Sequence, residues 1–495
     1  MAATSPSSAA VPHLQRSIGL GRVLFQSIAA MGPGASIVFG LGLIILYAGK
    51  ASPFAMLVGV LAALCVAGAI GQLATRIPSA GGLYTYSSVA LGPYVGFLVG
   101  WAYSILYLLL VALSSLNFSL VASDFLREYF GWVVPTWPLA LLVVLATLLA
   151  TYYGIKSSTG VTAVLGTIEV AILLVVSVLL IAHAGGANSL AVFNPSNVPA
   201  GTSVLNALFL GVVFAMAALS GFEAAVPLAE EAERPRRTVP RAVLLAALLI
   251  GLFYTLAIYA AVVGWGANDL GGYLNSPNPW REMAGRLGPF FSLLVVLAIL
   301  NSVIAGTQAG FNGTTRLLYA MGRAGVMPRQ FAEVDRRHHT PQVAAFVSAA
   351  VALAAMLVFS LWFGGAFNGF VFFLTMVTLV LISLYIVTCV ACIVYFLRSR
   401  RAEFQPLLHL VIPLIGIVML VPALYYSGKG LESPASYAIP AVFIWMALGV
   451  VTLIALRATG RDIAREPDRW LAESTAESTA EPSAVHTLPS EGRPA

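Results

Sequence analysis

Gly32-Pro33-Gly34-Ala35-Ser36 interrupts an apolar run that extends over about 19–48. Two glycines and a proline in mid-run break the i to i−4 hydrogen-bond ladder of a helix. Freed backbone groups are costly against lipid and are tolerated where they line a polar cavity. The N–H groups that open the second half-helix would point at an anion, helped by the half-helix dipole. A plain proline kink with close helix packing reads the same way. A second interruption, Ser220-Gly221-Phe222-Glu223 in the run at about 203–230, separates the two. Paired interruptions in corresponding helices of two halves point to a solute site near mid-membrane. The first and sixth runs correspond if helices 1–5 and 6–10 form an inverted repeat, an expectation that rests on interruption position and topology.

Composition supports the membrane reading. Of 495 residues, 59% are hydrophobic and 9% charged, against about 25% charged in soluble domains. Twelve apolar segments of roughly 20 residues or more can be drawn. They lie at about 19–48, 54–75, 83–121, 136–154, 161–184, 203–230, 241–266, 288–321, 341–362, 367–397, 406–426 and 437–457. They are continuous rather than alternating, which excludes a barrel. The expected fold is therefore all-α and polytopic, with twelve transmembrane helices of which the first and sixth are broken. The third, eighth and tenth exceed one perpendicular span and are expected to tilt or to extend into the cytoplasm.

The net charge of +6 is no nucleic-acid signal, because the basic residues fall in loops beside apolar helices. With the N-terminus inside, twenty Arg and Lys residues, Arg76, Lys156, Arg234, Arg236, Arg237 and Arg323 among them, sort to one side. Five (Lys50, Arg127, Arg281, Arg286 and Lys429) sort to the other. This asymmetry predicts both termini on the cytoplasmic face of the cell membrane. Residues 1–16 and 461–495 are polar, Ser/Ala/Pro- or Ala/Glu/Ser/Thr-rich, and are expected to be disordered tails around a transporter domain at 17–460. No cleavable signal peptide is read in the N-terminal segment.

Polar residues inside the runs mark the remaining candidates. Glu169 stands alone in the fifth segment, on one face with Thr162 and Gly166. A charge at mid-bilayer costs roughly 3 kcal/mol or more, which makes Glu169 a candidate proton carrier; a carboxyl hydrogen-bonded into a helix interface is the plainer reading. Helical spacing also gathers Asn301, Gln308, Asn312 and Thr315, then Tyr103, Tyr107 and Ser114, then Thr378, Tyr385 and Thr388, each set on one face. Such faces glue helices together or line a site. Cys389-x-x-Cys392 and Cys65 read as small buried residues. The mixed-sign stretch Glu230-Glu231-Ala232-Glu233-Arg234-Pro235-Arg236-Arg237 is expected to set topology and close the cytoplasmic side. Nothing in the chain reads as a phosphate loop, a metal cluster or a catalytic triad, so no cofactor, metal, enzymatic activity or nucleotide drive is expected.

These residues resemble the amino acid–polyamine–organocation superfamily of permeases. The matching stretches are Gly32-Pro33-Gly34, and Ile77-Pro78-Ser79-Ala80-Gly81-Gly82-Leu83-Tyr84 leading into Leu91-Gly92-Pro93 and Gly100-Trp101. Ser220-Gly221-Phe222-Glu223 follows, running into Glu230-Glu231 and Pro235-Arg236-Arg237-Thr238-Val239-Pro240-Arg241. The last runs from Asn312 to Arg316 and through Ala320-Met321-Gly322-Arg323 to Pro328. The resemblance implies a five-plus-five inverted repeat with two extra helices and alternating access. It implies secondary transport of amino acids by proton symport or exchange, with polyamines or other organic amines as the alternative cargo. A channel or solute-sensing transceptor is a more distant possibility. It places a substrate carboxylate at Gly32, Pro33, Gly34, Ala35 and Ser36. The amine falls at the sixth-helix carbonyls of Ala217, Leu219 and Ser220, beside Gly221 and Phe222, and Glu223 is tied to proton sensing and gating; Tyr103 is a further coupling or gating candidate. Asn301, Gln308 and Asn312 form a supporting polar face. Two departures stand out. Glu169 occupies the fifth-helix position where many proton-coupled relatives carry lysine. Ala217-Ala218-Leu219 replaces an aromatic gate, which leaves Phe214 and Phe222 as candidate gates.

Overall fold

The computed structural model describes residues 14–459 apart from 15 and 336. The expected tails therefore lie outside the described residues except for Leu14, which is buried in the core, and Arg16. The described chain is helical, and its only strand-like pairing is an isolated bridge between Ile18 and Ala232.

Ten helices among the described residues are long and apolar enough to cross a membrane. The sequence predicts twelve segments, and the difference has two physical causes. The first segment is split: Leu20–Met31 and Leu41–Ala48 flank the interruption, and the second half continues through one tight turn, Gly49–Ala51, into Ser52–Arg76. The fourth, Thr136–Tyr152, is apolar but only 17 residues long. The predicted third segment also divides. Leu83–Leu91 ends at Gly92, whose φ of +99° no side chain adopts easily, and Pro93 starts a new helix of 38 residues, Pro93–Phe130. At 1.5 Å per residue this helix is about 57 Å long, well beyond a hydrocarbon core of about 30 Å. Pro289–Arg323 (35 residues) and Ala366–Arg398 (33 residues) exceed it as well.

The bundle has a centre and a rim. The most apolar window of Pro93–Phe130 is 72% buried, whereas that of the last helix is 6% buried. Its outer face carries Phe443, Ile444, Val451 and Ile454, all exposed, as expected of a surface solvated by lipid chains. In the interior, Leu20–Met31 packs against Pro235–Trp265, Ile155–Ala184, Pro289–Arg323 and the tight turn Phe222–Leu228. Both interruptions therefore sit where the long helices converge.

Candidate functional site

The first interruption is made by Gly32. Its φ of +57° ends Leu20–Met31 in a left-handed cap, its N–H donating back to the carbonyls of Ile28 and Ala29 at 3.1 and 3.2 Å. Pro33 reopens the chain at a position where its missing N–H costs nothing. The ladder recovers through a π-helical turn, Ser36–Gly40, before Leu41–Ala48. The carbonyl of Met31, released by the break, accepts from Ser36 Oγ at 2.9 Å and from the Tyr254 hydroxyl at 3.0 Å.

The Gly34 N–H donates to Glu169 Oε1 at 2.9 Å and to Ser302 Oγ at 2.9 Å. Asn301 Nδ2 donates to the other carboxylate oxygen of Glu169 at 2.8 Å and to the Leu165 carbonyl at 3.2 Å. Glycine is required at 34 by close approach: an added Cβ would lie 3.0 Å from Ile299 Cα and from Ser302 Cβ, and 3.1 Å from the Ala298 carbonyl. Gly166 likewise meets the Phe25 ring, 3.1 Å from where its Cβ would stand. The face predicted to carry Thr162, Gly166 and Glu169 thus looks onto the broken helix.

The sixth interruption draws on its own residues and on neighbouring helices. Val204–Leu219 stops at Ser220, whose hydroxyl and N–H both donate to the Ala217 carbonyl. Gly221 then takes φ +109° and the chain continues as the tight turn Phe222–Leu228. Glu223, 1% exposed, folds back so that its Oε2 accepts from the Gly221 N–H at 3.1 Å and from the Tyr385 hydroxyl. Phe222 stacks on Tyr385 with ring centroids 5.0 Å apart. Tyr103 shares a 2.7 Å hydrogen bond with Tyr107. Phe214 stacks at 5.1 Å on Tyr47 in the second half of the first broken segment.

The two breaks touch. A Cβ on Gly221 would fall 2.7 Å from the Ala30 carbonyl carbon and 2.8 Å from the Met31 nitrogen. Ser36 Oγ reaches the Ala218 carbonyl at 3.5 Å. Ser27 ties them from one side, donating to the Phe222 carbonyl at 2.7 Å and accepting from the Ala225 N–H at 3.0 Å.

The supporting polar face divides. Asn301 joins Glu169, but Gln308 and Asn312 do not. Gln308 donates to Thr151 Oγ1 at 2.7 Å, Asn312 donates to Gln26 Oε1 at 3.0 Å, and Gln26 donates to the Ala309 carbonyl at 3.1 Å. Gln26 and Asn312 stitch the first half-helix to Pro289–Arg323, and Gln308 ties that helix to Thr136–Tyr152. Thr378 and Thr388 bond back to their own helix, leaving Tyr385 as the member of that stripe that reaches the site. Cys65, Cys389 and Cys392 are buried free thiols.

One end of the bundle is locked. Arg316, fully buried, forms a two-pronged pair with Glu231, Nε and Nη2 each 3.0 Å from a carboxylate oxygen. Arg323 pairs with Glu230 in the same way at 3.1 and 2.8 Å, and Glu230 also accepts from the Ala80 N–H at 3.0 Å. The Glu231 carbonyl accepts from the N–H groups of Ser17 and Ile18. The mixed-sign stretch therefore binds the N-terminal segment, the Ala80 turn and the Pro289–Arg323 helix together.

Ser27, Ser302 and Tyr254 were not singled out by the sequence. Ser302 adjoins Asn301 and could have been added to its face; a lone serine or tyrosine in an apolar helix carries no signal of its partner.

The chain is similar to known proteins throughout this architecture. The amino acid permease family model matches residues 22–473. The low-affinity putrescine importer PlaP of Escherichia coli is 27% identical over 352 residues, covering 70% of this chain and 75% of that protein. The branched-chain amino acid permease BcaP of Lactococcus lactis is 24% identical over 457 residues, 88% and 92% of the two chains. The gamma-aminobutyric acid permease of Bacillus subtilis is 22% identical over 318 residues, 61% and 64%. With a family match spanning both breaks and the locked end, the chain belongs to the amino acid permease family, whose members are membrane transporters.

Proposed function

We propose that this chain is a secondary transporter that moves amino acids or related organic amines across the cytoplasmic membrane by alternating access, with proton symport or exchange. The observation that carries the reading is the contact between the two interrupted helices, Gly221 against Ala30 and Met31. It brings backbone carbonyls, the carboxylates of Glu169 and Glu223, and Ser36 to the centre of the bundle. Putrescine, branched-chain amino acids and gamma-aminobutyric acid, named for the relatives, all carry an amino group, which such carbonyls and carboxylates would accept. In this reading the first and sixth helices head the two halves of a five-plus-five inverted repeat. Two further helices complete twelve spans, and the sorting of basic residues puts both termini in the cytoplasm. The end closed by Glu230, Glu231, Arg316 and Arg323 is then the cytoplasmic one.

Counterflow in proteoliposomes tests the proposal. A carrier accelerates uptake of labelled solute when preloaded with unlabelled solute. A channel, or a sensor that binds without cycling, shows no acceleration, and that outcome would replace the transporter reading. Proton coupling is tested separately. Glu169→Gln is expected to remove the response of uptake to an imposed pH gradient, and an unchanged response would discharge Glu169 from that role.

A further inference from the structure

We propose that the Glu169 carboxylate is a built-in occupant of the anion seat in the first break, so that the site takes a small organic cation without a carboxylate of its own. The inference rests on the transporter reading and narrows its substrate class. The N–H that a broken helix offers to an anion is, at Gly34, already donated to Glu169 Oε1 at 2.9 Å. The contact is built rather than incidental. Asn301 holds the second carboxylate oxygen at 2.8 Å, Ser302 shares the Gly34 N–H, and Glu169 and Ser302 are 2% and 1% exposed. The missing side chain of Gly34 is what lets the break press onto Ile299 and Ser302 and so come within reach.

Both oxygens of Glu169 accept from N–H donors. Its polar neighbours are neutral: Gly34, Asn301 and Ser302. The ion pairs among the described residues lie elsewhere, at Glu230, Glu231, Glu128, Glu403, Asp124 and Asp335. A solute carboxylate entering this break would meet a like charge on the very donor it needs. A solute ammonium would meet an uncompensated counter-charge, together with the carbonyl acceptors of the two breaks. Glu169 thus supplies the carboxylate that an amino acid would otherwise bring.

Matched pairs differing only in the carboxylate test this: putrescine against ornithine, and 3-methylbutylamine against leucine. With the full-length protein in proteoliposomes, each amine is expected to compete for binding at least tenfold better than its amino acid. Glu169→Gln, which keeps the shape and removes the charge, is expected to shrink that ratio to about threefold or less. If the glutamine variant does not fold, Glu169→Asp, which withdraws the charge from Gly34 by one methylene, is read for the same narrowing. An amino acid that binds as well as its amine, failure of all four probes to bind, or an unchanged ratio in the variant overturns the proposal. Amino acid preference with intact counterflow would sink this inference alone. Amine binding without counterflow would leave it standing and remove the transporter reading.

Discussion

The two interruptions use different means to hold freed backbone groups. At the first, the freed N–H group goes to other helices: Gly34 reaches Glu169 and Ser302, which lie 135 and 268 residues away, and the Met31 carbonyl reaches Tyr254, 223 residues away, as well as Ser36 close by. At the sixth, the freed Gly221 N–H has an acceptor two residues on, Glu223, and a second from outside, Tyr385, while Ser27 and Ser36 bond the Phe222 and Ala218 carbonyls. Their far ends differ too. The sixth continues into Glu231, buried against Arg316, whereas the first ends at Lys50, whose exposed amine bonds Asn268 at 2.7 Å.

The largest effect should come from the anchors. Arg316→Met leaves the Glu231 carboxylate buried and unpaired, at about 3–5 kcal/mol. The double variant with Glu231→Leu should recover most of that, since the pair is then replaced by apolar volume. Lys50→Ala, its counterpart at the first break, should cost less than about 1 kcal/mol, in line with a single exposed polar contact. Unfolding of the purified protein in detergent measures all three. Equal losses for Arg316→Met and Lys50→Ala would erase the difference between the two ends.

The glycines come next. Gly32→Ala and Gly221→Ala both force a side chain onto positive φ, which costs about 1–2 kcal/mol. At Gly32 the new Cβ meets only Ala35 Cβ at 3.6 Å and Ser302 Oγ at 3.8 Å, whereas at Gly221 it collides with the Ala30–Met31 backbone at 2.7–2.9 Å. Gly221→Ala should therefore lose a further 1–3 kcal/mol or so through overpacking. If the two variants melt alike, the breaks are not pressed together as described.

The same contrast explains what was legible in the sequence. The helical class, the membrane setting and both breaks could be read from Gly, Pro and apolar runs, because those signals are local. Glu223 could be tied to its break because it stands two residues from Gly221. The boundary at Gly92-Pro93 escaped, because an apolar run continues across a turn without a change in composition. The partners of the first break escaped for a different reason. Helical spacing puts Asn301, Gln308 and Asn312 on one face, but not at one place along it. Only packing shows that Asn301 meets Glu169 while Gln308 and Asn312 meet Thr151 and Gln26. Phe214, a candidate gate, stacks on Tyr47 of the second half of the first broken helix, a pairing that local spacing does not show.

A modest predicted effect divides that polar face by what it reports. Asn301→Ala and Gln308→Ala each remove one amide from Pro289–Arg323, and each should cost about 1–2 kcal/mol as a buried partner loses its hydrogen bond. Stability alone cannot tell them apart. Asn301 Nδ2 is the donor that steadies Glu169 Oε2, so its loss should free the carboxylate to leave Gly34 and weaken the discrimination between an amine and its amino acid. Gln308 steadies Thr151 and Asn312, and its loss should leave that discrimination as in the wild type. Competition by putrescine and ornithine in the two variants reads the difference directly. A parallel change in both would mean that the face acts as one seam, and that the first break draws on the whole length of the Pro289–Arg323 helix rather than on the Asn301–Ser302 turn.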